Sequence, residues 1–422
     1  MNFEKFSGFY KKSWEERLQL LKESCNLSNE DIELLKSLKP LNFDTANIMI
    51  ENVIGVLALP LAVAPYFRIN GKDYIVPMSI EEPSVVAAAS RAAKMTLPEG
   101  FKAEATQPIM IGQIQLLDIA DIEEAKQKIL NAKNELLQIC NRKDSTLVKL
   151  GGGAKDIQLK EFNSKRGKML VLHLLVDVRD AMGANAVNTM AETVAKKLEE
   201  MLNCRSCLRI ISNLCIYRLA KAKAVWKKEV LEGRYGKGCI DFILDAYELA
   251  CIDQFRATTH NKGIMNGIDA LALATGNDFR AIEAACHSYA CFNHSYRSLT
   301  HYYKDDKGNL VGEIELPIAC GIVGGSIKTN PIAKLSLKLL NVNSARELAM
   351  VFASLGLAQN FAALSALATE GIQKGHMKLH ARNIAILAGA SIEEAEKVAK
   401  KMVEMKSINV ATAKKILEEM RK

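Results

Sequence analysis

The stretch MLVLHLLVDV (residues 169–178) is an extended apolar run, and its length and composition predict one buried β-strand. A second strand is predicted at CLRIISNLCIY (residues 207–217), after a helical pattern that begins at Met190. Another helical pattern, DIEEAKQKILNAKNELLQI, begins at Asp121. Residues 108–217 therefore read strand–helix–strand–strand–helix–strand, which is typical of a small α+β layer rather than of a long doubly wound sheet.

The chain on either side of this layer is rich in alanine, glycine and helical patterns. It predicts one larger, helix-rich domain with the small α+β domain inserted in it, followed by a separate helical tail. The predicted fold class is therefore α+β. The predicted bounds are 1–107 for the first part of the large domain, 108–217 for the small domain, 218–375 for the second part of the large domain and 376–422 for the tail.

Two predicted helices open with a capping-box pattern. Ser28 is followed three residues later by Asp31, and Ser391 is followed by Glu394. In this pattern each of the two side chains accepts a hydrogen bond from the backbone N–H of the other residue, so the spacing predicts where the helix begins.

Length and hydropathy indicate large buried cores and no membrane span. The chain has 422 residues, of which 49% are hydrophobic and 25% are charged. The longest apolar run, IGVLALPLAVAPYF, begins at Ile54, contains Pro60 and Pro65, and is shorter than the roughly 20 residues of a membrane helix. The N-terminal residues are charged throughout and lack the apolar segment of a signal peptide, so we expect a cytoplasmic protein.

Charge and cysteine content narrow the classes of partner. The formal charge of +8 suits an anionic ligand, such as a phosphate or a carboxylate, although solvated lysines also explain such an excess. No Lys/Arg block is interleaved with aromatic residues, so nucleic acid is not expected. The ten cysteines read as reduced thiols, and the single CxxC pair, Cys204 and Cys207, has no second pair with which to hold zinc.

The first segment with candidate chemistry is SIEEPSVVAAAS, which contains Glu81 and Glu82 directly before Pro83. A carboxylate before a proline and a helix start can be held at the helix N-terminus. The alternative is that both glutamates only favour the helix dipole.

The second segment, VDVRDAMGANAVNTMAE, begins at Val176 and passes from an extended run through Gly183 into a helix. Backbone N–H groups at such a turn can bind a phosphate or an amide. The segment lacks GxGxxG, so it does not support a Rossmann fingerprint, and an ordinary Gly/Asn turn is the alternative.

The third segment, from Phe255, concentrates charged groups within an apolar stretch. Lys262 stands between Asn261 and Gly263 in a turn-like context, and Asp278 follows Gly276 and Asn277 just before a helix. A lysine and an aspartate in a dry site would shift each other's pKa. The alternative for Asp278 is an ordinary helix N-cap.

The fourth segment, GHMKLH, has two histidines four residues apart, His376 and His380. These would share one helix face, but HExxH has a glutamate that is missing here, and no third ligand is evident, so no metal site is predicted. A histidine after Gly375 can instead act as a mobile general acid.

Together these segments resemble the soluble, class II form of the 3-hydroxy-3-methylglutaryl-coenzyme A (HMG-CoA) reductase family. The resemblance covers nearly the whole chain, and its motifs occur in the order of the family. They are ENVIG (residues 51–55), EEPSVVAAAS, DAMGAN, HNKGIMNGID, GNDFRA and LATEGIQKGHM.

The resemblance implies a set of site residues. The catalytic positions fall on Glu82, Lys262, Asp278 and His376. The nicotinamide-contacting loop matches Asp180, Met182, Gly183 and Asn185, and the acyl-CoA positions match Ser84, Arg256 and Asn266. The small domain is then a non-Rossmann, ferredoxin-like α+β domain that binds the cofactor, and the tail is a flap over the site.

The resemblance also implies the reaction, in which HMG-CoA and mevalonate plus CoA are interconverted through mevaldyl-CoA hemithioacetal and mevaldehyde. Lys262 would stabilise the oxyanion, His376 would protonate the departing thiolate, and Glu82 would donate a proton in the second step. Asp278 would join Lys262 and Glu82 in one network. A catalytically silent acyl-CoA-binding protein and a metal-dependent hydrolase are the alternatives.

Cofactor and assembly follow from the same resemblance. The cofactor is NADH or NADPH, and Asp144 favours NADH because a carboxylate near the adenosine ribose repels a 2′-phosphate. Its neighbours Arg142 and Lys143 would instead accept that phosphate. A homodimer or a dimer-based hexamer is expected, with active sites at the interface and with ENVIG and its apolar sequel as candidates for the buried contact.

Overall fold

The structure is a computed structural model that describes residues 2–39, 41–293, 295–369 and 381–421. Its helices are α1 (Trp14–Cys25), α2 (Asn29–Ser37), α3 (Phe43–Met49), α4 (Val85–Lys94), α5 (Ile122–Asn131), α6 (Lys133–Lys143), α7 (Ser145–Lys149), α8 (Ala184–Leu202), α9 (Lys228–Tyr235), α10 (Cys239–Ile252), α11 (Gln254–Ala274), α12 (Phe279–Tyr289), α13 (Pro331–Leu340), α14 (Ala345–Ala368), α15 (Ile392–Glu404) and α16 (Val410–Arg421).

Its strands form two sheets. They are β1 (Leu61–Ile69), β2 (Lys72–Ser79), β3 (Phe101–Ala105), β4 (Ile109–Leu117), β5 (Gly153–Ser164), β6 (Gly167–Asp177), β7 (Arg205–Ser212), β8 (Leu219–Trp226), β9 (Thr300–Lys304) and β10 (Leu310–Pro317). One sheet has the order β2-β1-β3-β8-β10-β9, and the other has the order β5-β6-β4-β7. The predicted α+β fold class is confirmed.

The smaller sheet is antiparallel, and all its strands lie between residues 109 and 212. Strand β6 is the apolar run quoted first, and it pairs with β5 on one side and β4 on the other. Helices α5, α6 and α8 contact this sheet or one another, and the buried side chains between them include Ile114, Leu172 and Leu198. The predicted succession of strands and helices along this part of the chain is confirmed, and no Rossmann sheet is formed by its described residues.

Two predicted bounds in this layer were wrong. The helical pattern from Asp121 is divided into α5 and α6 at Ala132, where the backbone has φ −89° and ψ 3°. The strand predicted at 207–217 ends at Ser212. Beyond it the backbone turns, since Cys215 N–H donates to Asn213 O and Arg218 N–H donates to Cys215 O, each at 2.9 Å.

The larger sheet packs on α14, which is the central helix of the main core. Trp226 of β8 stacks against Phe361 of α14, with ring centroids 3.9 Å apart. The indole N–H of Trp226 donates to Ala92 O at 3.1 Å. Among the described residues α14 is the one helix long and apolar enough to cross a membrane, but 89% of its apolar window is buried inside the molecule. Its hydropathy is therefore that of a core helix.

The helical tail has an apolar core of its own. Side chains of α15 and α16, including Val398, Met402 and Ile416, bury one another. The capping box predicted at Ser391 is present, as is the one at Ser28. The domain bounds drawn from the sequence stay predictions.

Candidate active site

An ion pair joins two of the segments that the sequence singles out. Lys262 Nζ on α11 lies 3.2 Å from Glu82 Oε2, which belongs to the segment before α4. The lysine side chain is 59% exposed and the glutamate side chain 35% exposed, so water reaches both groups in the single chain. A fixed cation and a carboxyl group therefore share one open site.

Ser84, two residues after Glu82, has an unusual backbone and an unused side chain. Its φ of 79° lies in the left-handed region, and it begins α4 without a side-chain capping bond. Its Oγ is buried, and no group among the described residues hydrogen-bonds to it. A buried hydroxyl without a partner is costly, so this position is suited to a hydrogen bond from a bound molecule.

Lys262 lies in the middle of α11, and the turn-like context expected for it was wrong. The glycines around it allow close packing against α14 instead. A Cβ on Gly263 would lie 3.8 Å from Ala363 Cβ, and one on Gly267 would lie 3.1 Å from Gln359 Cβ. Gly267 thus allows the close approach of the two helices, whereas a methyl group on Gly263 would make an ordinary contact.

Buried polar groups hold the turn of α11 that carries Lys262. Asn261, which is fully buried, donates from Nδ2 to Arg297 O at 2.9 Å and accepts from Leu299 N–H at 3.0 Å. His260 Nε2 lies 2.7 Å from Thr300 Oγ1. These bonds fix the turn of α11 that contains residues 260–261 on its buried face, while the side chain of Lys262 is exposed.

The same network reaches α14. Thr300 Oγ1 donates to Asn360 Oδ1 at 3.1 Å, and Asn360 Nδ2 donates to His260 O at 3.1 Å. Burial lowers the pKa of His260 to about 3, so its imidazole is neutral at ordinary pH and serves as a structural group.

Arg256 and Asn266 lie on α11 before and after Lys262. The Arg256 side chain is half-buried, and burial lowers the pKa of its guanidinium below the ordinary value. No carboxylate pairs with Arg256 in the part of the chain that the structure describes. A half-buried cation without a counter-ion suits an anionic ligand.

Asp278 does not join the ion pair within the described chain. It is the N-cap of α12, where Oδ1 accepts from Ala281 N–H at 3.1 Å and lies 3.5 Å from Arg280 Nη2. Its side chain is 41% exposed. The capping role is therefore confirmed, and a network with Lys262 and Glu82 stays a prediction.

The predicted nicotinamide residues form a turn between β6 and α8. Gly183 begins α8 with φ 102°, and a Cβ there would lie 2.5 Å from Val178 Cγ1, so only glycine fits. Asp180 Oδ1 accepts from Ala345 N–H at 2.8 Å, which ties this turn to the start of α14. Met182 and Asn185 lie on the same turn and on the first residues of α8.

Asp144 lies elsewhere on the small sheet's helical side, as the N-cap of α7. Its Oδ1 accepts from Leu147 N–H at 3.0 Å. Glycines 151–153 follow this short helix, and Arg179 Nη2 donates to Gly151 O at 2.5 Å. Arg179 thus joins the glycine turn after α7 to the turn that carries Asp180.

Residues 13–381 match the protein family described as Hydroxymethylglutaryl-coenzyme A reductase. The chain belongs to this family. A 3-hydroxy-3-methylglutaryl-coenzyme A reductase from Archaeoglobus fulgidus is 55% identical over 415 residues, which cover 98% of this chain and 94% of the relative. A probable reductase of the same kind from Borreliella burgdorferi is 36% identical over 439 aligned residues, covering 100% of this chain and 98% of the relative.

Solved structures agree with this membership. The reductase from Streptococcus pneumoniae superposes with a TM-score of 0.84 at 42% identity, covering 98% of this chain and 99% of that one. A class II reductase from the same organism, bound to NADPH in open conformations, has a TM-score of 0.82 at 42% identity, covering 97% and 100%. An NAD(P)H-dependent oxidoreductase of the HMG-CoA reductase family, predicted from the sequence, is confirmed.

One predicted site residue, His376, lies outside the residues that the structure describes. His376 and His380 both fall in residues 370–380. Among the described residues no group of three or more His, Cys, Asp or Glu side chains is arranged to hold a metal ion.

The sequence analysis assigned no role to three buried residues that hold the backbone around this site. Asn261, Asn277 and Arg218 are buried and bind backbone groups of neighbouring segments. Their signal in the sequence is slight. Arg218 is a single charge in the apolar stretch CIYRLA, and Asn261 and Asn277 stand directly before Lys262 and Asp278.

A pair of carboxyl groups lies further along α11. Asp269 hydrogen-bonds to Glu283 of α12, and its Oδ1 is buried without a partner among the described residues. Burial, and then the charge of Glu283, raise the pKa of Asp269 to about 7. His287 Nε2 lies 4.0 Å from Glu283 Oε1, and the buried thiol of Cys286 lies nearby.

This pair predicts a pH-dependent stability. A carboxyl group whose folded-state pKa is raised stabilises the fold below its unfolded pKa, and that contribution is lost as pH rises through about 7. As pH rises from 5 to 8, the free energy of unfolding of Asp269→Asn should increase relative to that of the parent chain by on the order of 1 kcal/mol, after allowance for solvent screening. Urea unfolding of both proteins at pH 5 and at pH 8 measures this difference. Asp306→Asn is the control, because Asp306 is exposed. Parallel pH profiles for Asp269→Asn and the parent chain would contradict the assignment.

Proposed function

We propose that this chain reduces HMG-CoA to mevalonate and CoA by two successive hydride transfers from NAD(P)H, with Lys262 and Glu82 as its central groups. The observation that carries this proposal is their 3.2 Å contact beside the buried, unpartnered hydroxyl of Ser84. A cation and a carboxyl group thus meet at one open site, and Ser84 lies two residues after Glu82 in the chain.

In the first step a hydride adds to the thioester carbonyl carbon, and the carbonyl oxygen becomes an oxyanion in mevaldyl-CoA hemithioacetal. The ammonium group of Lys262 stabilises this charge. The C–S bond then breaks, the carbonyl of mevaldehyde forms, and His376 protonates the CoA thiolate so that the sulfur does not add back. One NAD(P)H has been oxidised at this point.

In the second step another hydride adds to the aldehyde carbon, and Glu82 supplies the proton that turns the oxygen into a hydroxyl group. Asp278 completes the catalytic set, in contact with Lys262 and Glu82 once the site has closed. Because Glu82 and Lys262 are 35% and 59% exposed in the single chain, closure must come from residues beyond it or from the 376–422 tail, acting as a flap.

Ser84, Arg256 and Asn266 would hold the acyl-CoA substrate. The unpartnered Ser84 Oγ supports a hydrogen bond to the acyl group, and the half-buried Arg256 supports binding of the free carboxylate of HMG-CoA. Asn266 lies one turn after Lys262 on α11, so both side chains reach the same opening.

The cofactor would bind along the small sheet's helical side. Residues 180–185 would contact the nicotinamide, and Asp144 would lie at the adenosine ribose and favour NADH. Arg179 joins the turn that carries Asp180 to the glycine turn at the other end of α7 from Asp144, which supports one continuous cofactor site. A relative from Streptococcus pneumoniae binds NADPH, so the choice between the two cofactors needs its own test.

Asp144→Ala is expected to lower the ratio of kcat/KM for NADH to that for NADPH by about tenfold, because the charge that disfavours a 2′-phosphate is removed. Initial rates with each cofactor measure this ratio. Asp121→Ala is a matched control, since Asp121 caps α5 through a 3.0 Å bond from Glu124 N–H. An unchanged ratio in Asp144→Ala would leave Asp144 as a helix cap only.

A homodimer, or a hexamer built from dimers, would complete the site. Large apolar side chains are exposed along the 54–59 segment and at the junction of α10 and α11, with Ile54 103%, Leu57 91% and Phe255 88% exposed. Large apolar side chains exposed in such number are typical of a protein–protein contact. We further propose a cytoplasmic location. We also propose domain bounds at 107/108, 217/218 and 375/376; the core of the small sheet supports the first two, and the core of the helical tail supports the third.

The function is tested by following reduced nicotinamide with HMG-CoA and, in reverse, NAD(P)⁺ with mevalonate and CoA. We expect oxidation of two reduced cofactors for each CoA released, unchanged by exhaustive chelation. Release of CoA without cofactor oxidation would instead favour a hydrolase. Tight binding of HMG-CoA without turnover would favour a silent acyl-CoA-binding protein.

A further inference from the structure

Arg218 is a buried cation at the junction between the two sheets, just before β8. Its side chain is 4% exposed. Nη1 donates to Met182 O at 3.0 Å, and Nη2 donates to Ala181 O at 3.1 Å. Nη2 also donates to Cys320 O. The guanidinium group therefore binds three backbone carbonyls from two separate segments of the chain.

A charge in this position needs a reason, because removing a guanidinium group from water is unfavourable unless its donors are satisfied. Burial lowers the pKa of Arg218, and the nearby carboxylates of Asp177 and Asp180 act in the opposite direction. Asp177 is itself paired with Arg179 at 3.1 Å. The direct partners of Arg218 are therefore carbonyl dipoles, and its fork of donors matches their spacing.

The carbonyls belong to loop 180–183 and to segment 320–322, which lie against each other. Ile322 N–H donates to Asp180 O at 2.9 Å. A Cβ on Gly321 would lie 2.7 Å from Met182 N, so the two backbones touch with no room for a side chain. Segment 320–322 thus packs directly against the backbone of loop 180–183.

The other side of segment 320–322 is held by the residue before Asp278. Asn277 Oδ1 accepts from Gly321 N–H at 2.7 Å, and Asn277 Nδ2 donates to Gly321 O at 3.2 Å. Asn277 is 9% exposed. A continuous set of buried bonds therefore runs from loop 180–183 through Arg218 and Gly321 to the N-terminus of α12.

We propose that Arg218 is a positioning residue for hydride transfer, fixing loop 180–183 relative to Asp278 through segment 320–322. This proposal rests on the proposed function, which assigns the loop to the nicotinamide and Asp278 to the catalytic set. Loop 180–183 follows β6 of the smaller sheet, and segment 320–322 follows β10 of the larger sheet. Without the guanidinium fork, three hydrogen bonds at this junction are lost, and the remaining bond from Ile322 N–H to Asp180 O fixes the loop less precisely. Errors of about 1 Å in such placement lower rates by about 100-fold.

The test uses the full-length protein and compares Arg218→Lys with Arg218→Met. A lysine keeps the charge but not the fork, so we expect kcat with saturating HMG-CoA to fall by about 10-fold in Arg218→Lys and about 100-fold in Arg218→Met. The KM for the nicotinamide cofactor should rise, and the KM for HMG-CoA should stay within about threefold of the parent value.

The deciding measurement is the isotope effect with cofactor deuterated at the transferred position. Poorer placement makes hydride transfer more rate-limiting, so the isotope effect on kcat should rise in both variants. A loss of folded protein alone lowers the number of active sites and leaves the isotope effect and both KM values unchanged, and that result would overturn the proposal. Arg205→Lys is the matched control, because Arg205 is an exposed arginine at the start of β7 in the smaller sheet, paired with Asp118.

Gly321→Ala provides an independent test of the same loop placement if the arginine variants do not fold. Its new methyl group would press on Met182 N and displace the loop from segment 320–322, so the same rise in isotope effect is expected. Gly233→Ala is its control, because a Cβ there meets nothing within 4 Å. A parent enzyme that does not oxidise cofactor with HMG-CoA would contradict the proposed function. An active parent enzyme with unchanged isotope effects in the variants would contradict only the role of Arg218.

Discussion

Lys262→Met is expected to lower kcat for HMG-CoA reduction by about 100- to 1000-fold. Hydride addition places a full negative charge on the carbonyl oxygen, and the ammonium group 3.2 Å from Glu82 is the cation that we propose stabilises it. Methionine keeps an unbranched chain of similar length while removing the charge, so packing on α11 is preserved. Steady-state oxidation of reduced nicotinamide at saturating HMG-CoA measures the loss.

Lys221→Met is the matched control for this prediction. Lys221 is also an ion-paired lysine, 2.7 Å from Glu315, and its side chain is 48% exposed. Lys221 lies on β8, outside the segments assigned to the site. The kcat of Lys221→Met should therefore stay within about twofold of the parent value, as expected for an ordinary surface ion pair. If Lys262→Met keeps more than a third of the parent kcat, Lys262 is not the stabilising cation.

His376→Gln is expected to slow thioester reduction by about 100- to 10,000-fold while reduction of free mevaldehyde is largely retained. Only the first half of the reaction expels a thiolate, and only that half needs a proton delivered to sulfur. Glutamine can still donate a hydrogen bond but carries no transferable proton at neutral pH. The two rates are measured separately, with HMG-CoA and with mevaldehyde as the substrate.

His380→Gln tests whether the effect belongs to one histidine. His380 follows His376 by one helical turn's spacing and has no assigned chemical role, so both rates should stay near the parent values. Equal loss of the two activities in His376→Gln would contradict the assigned role and indicate a general effect on closure of the site.

Local patterns were sufficient to predict much of this fold. The capping boxes at Ser28 and Ser391 each mark a helix start that the structure contains. The apolar run at 169–178 forms β6 almost residue for residue. Such signals succeed because the energies involved arise within one turn of helix or one strand, so neighbours in sequence are the interacting partners.

Other expectations failed where distant packing decided the outcome. Lys262 is predicted as a turn residue beside Gly263, yet it lies within α11, which packs closely on α14 at Gly267. The strand predicted to reach Tyr217 stops at Ser212, where the chain turns towards the second sheet. In both cases local composition was compatible with two conformations, and a tertiary contact selected one of them.

The sequence by itself determined the family of this protein, its α+β class and the chemical types of its site residues, because these depend on residue identity and local order. Only the tertiary structure brought Lys262 of α11 to Glu82, left Ser84 Oγ without a partner and buried Arg218 among three carbonyls. Those contacts join residues 36 to 180 positions apart. Their geometry depends on how two sheets and several helices pack, which no local pattern encodes.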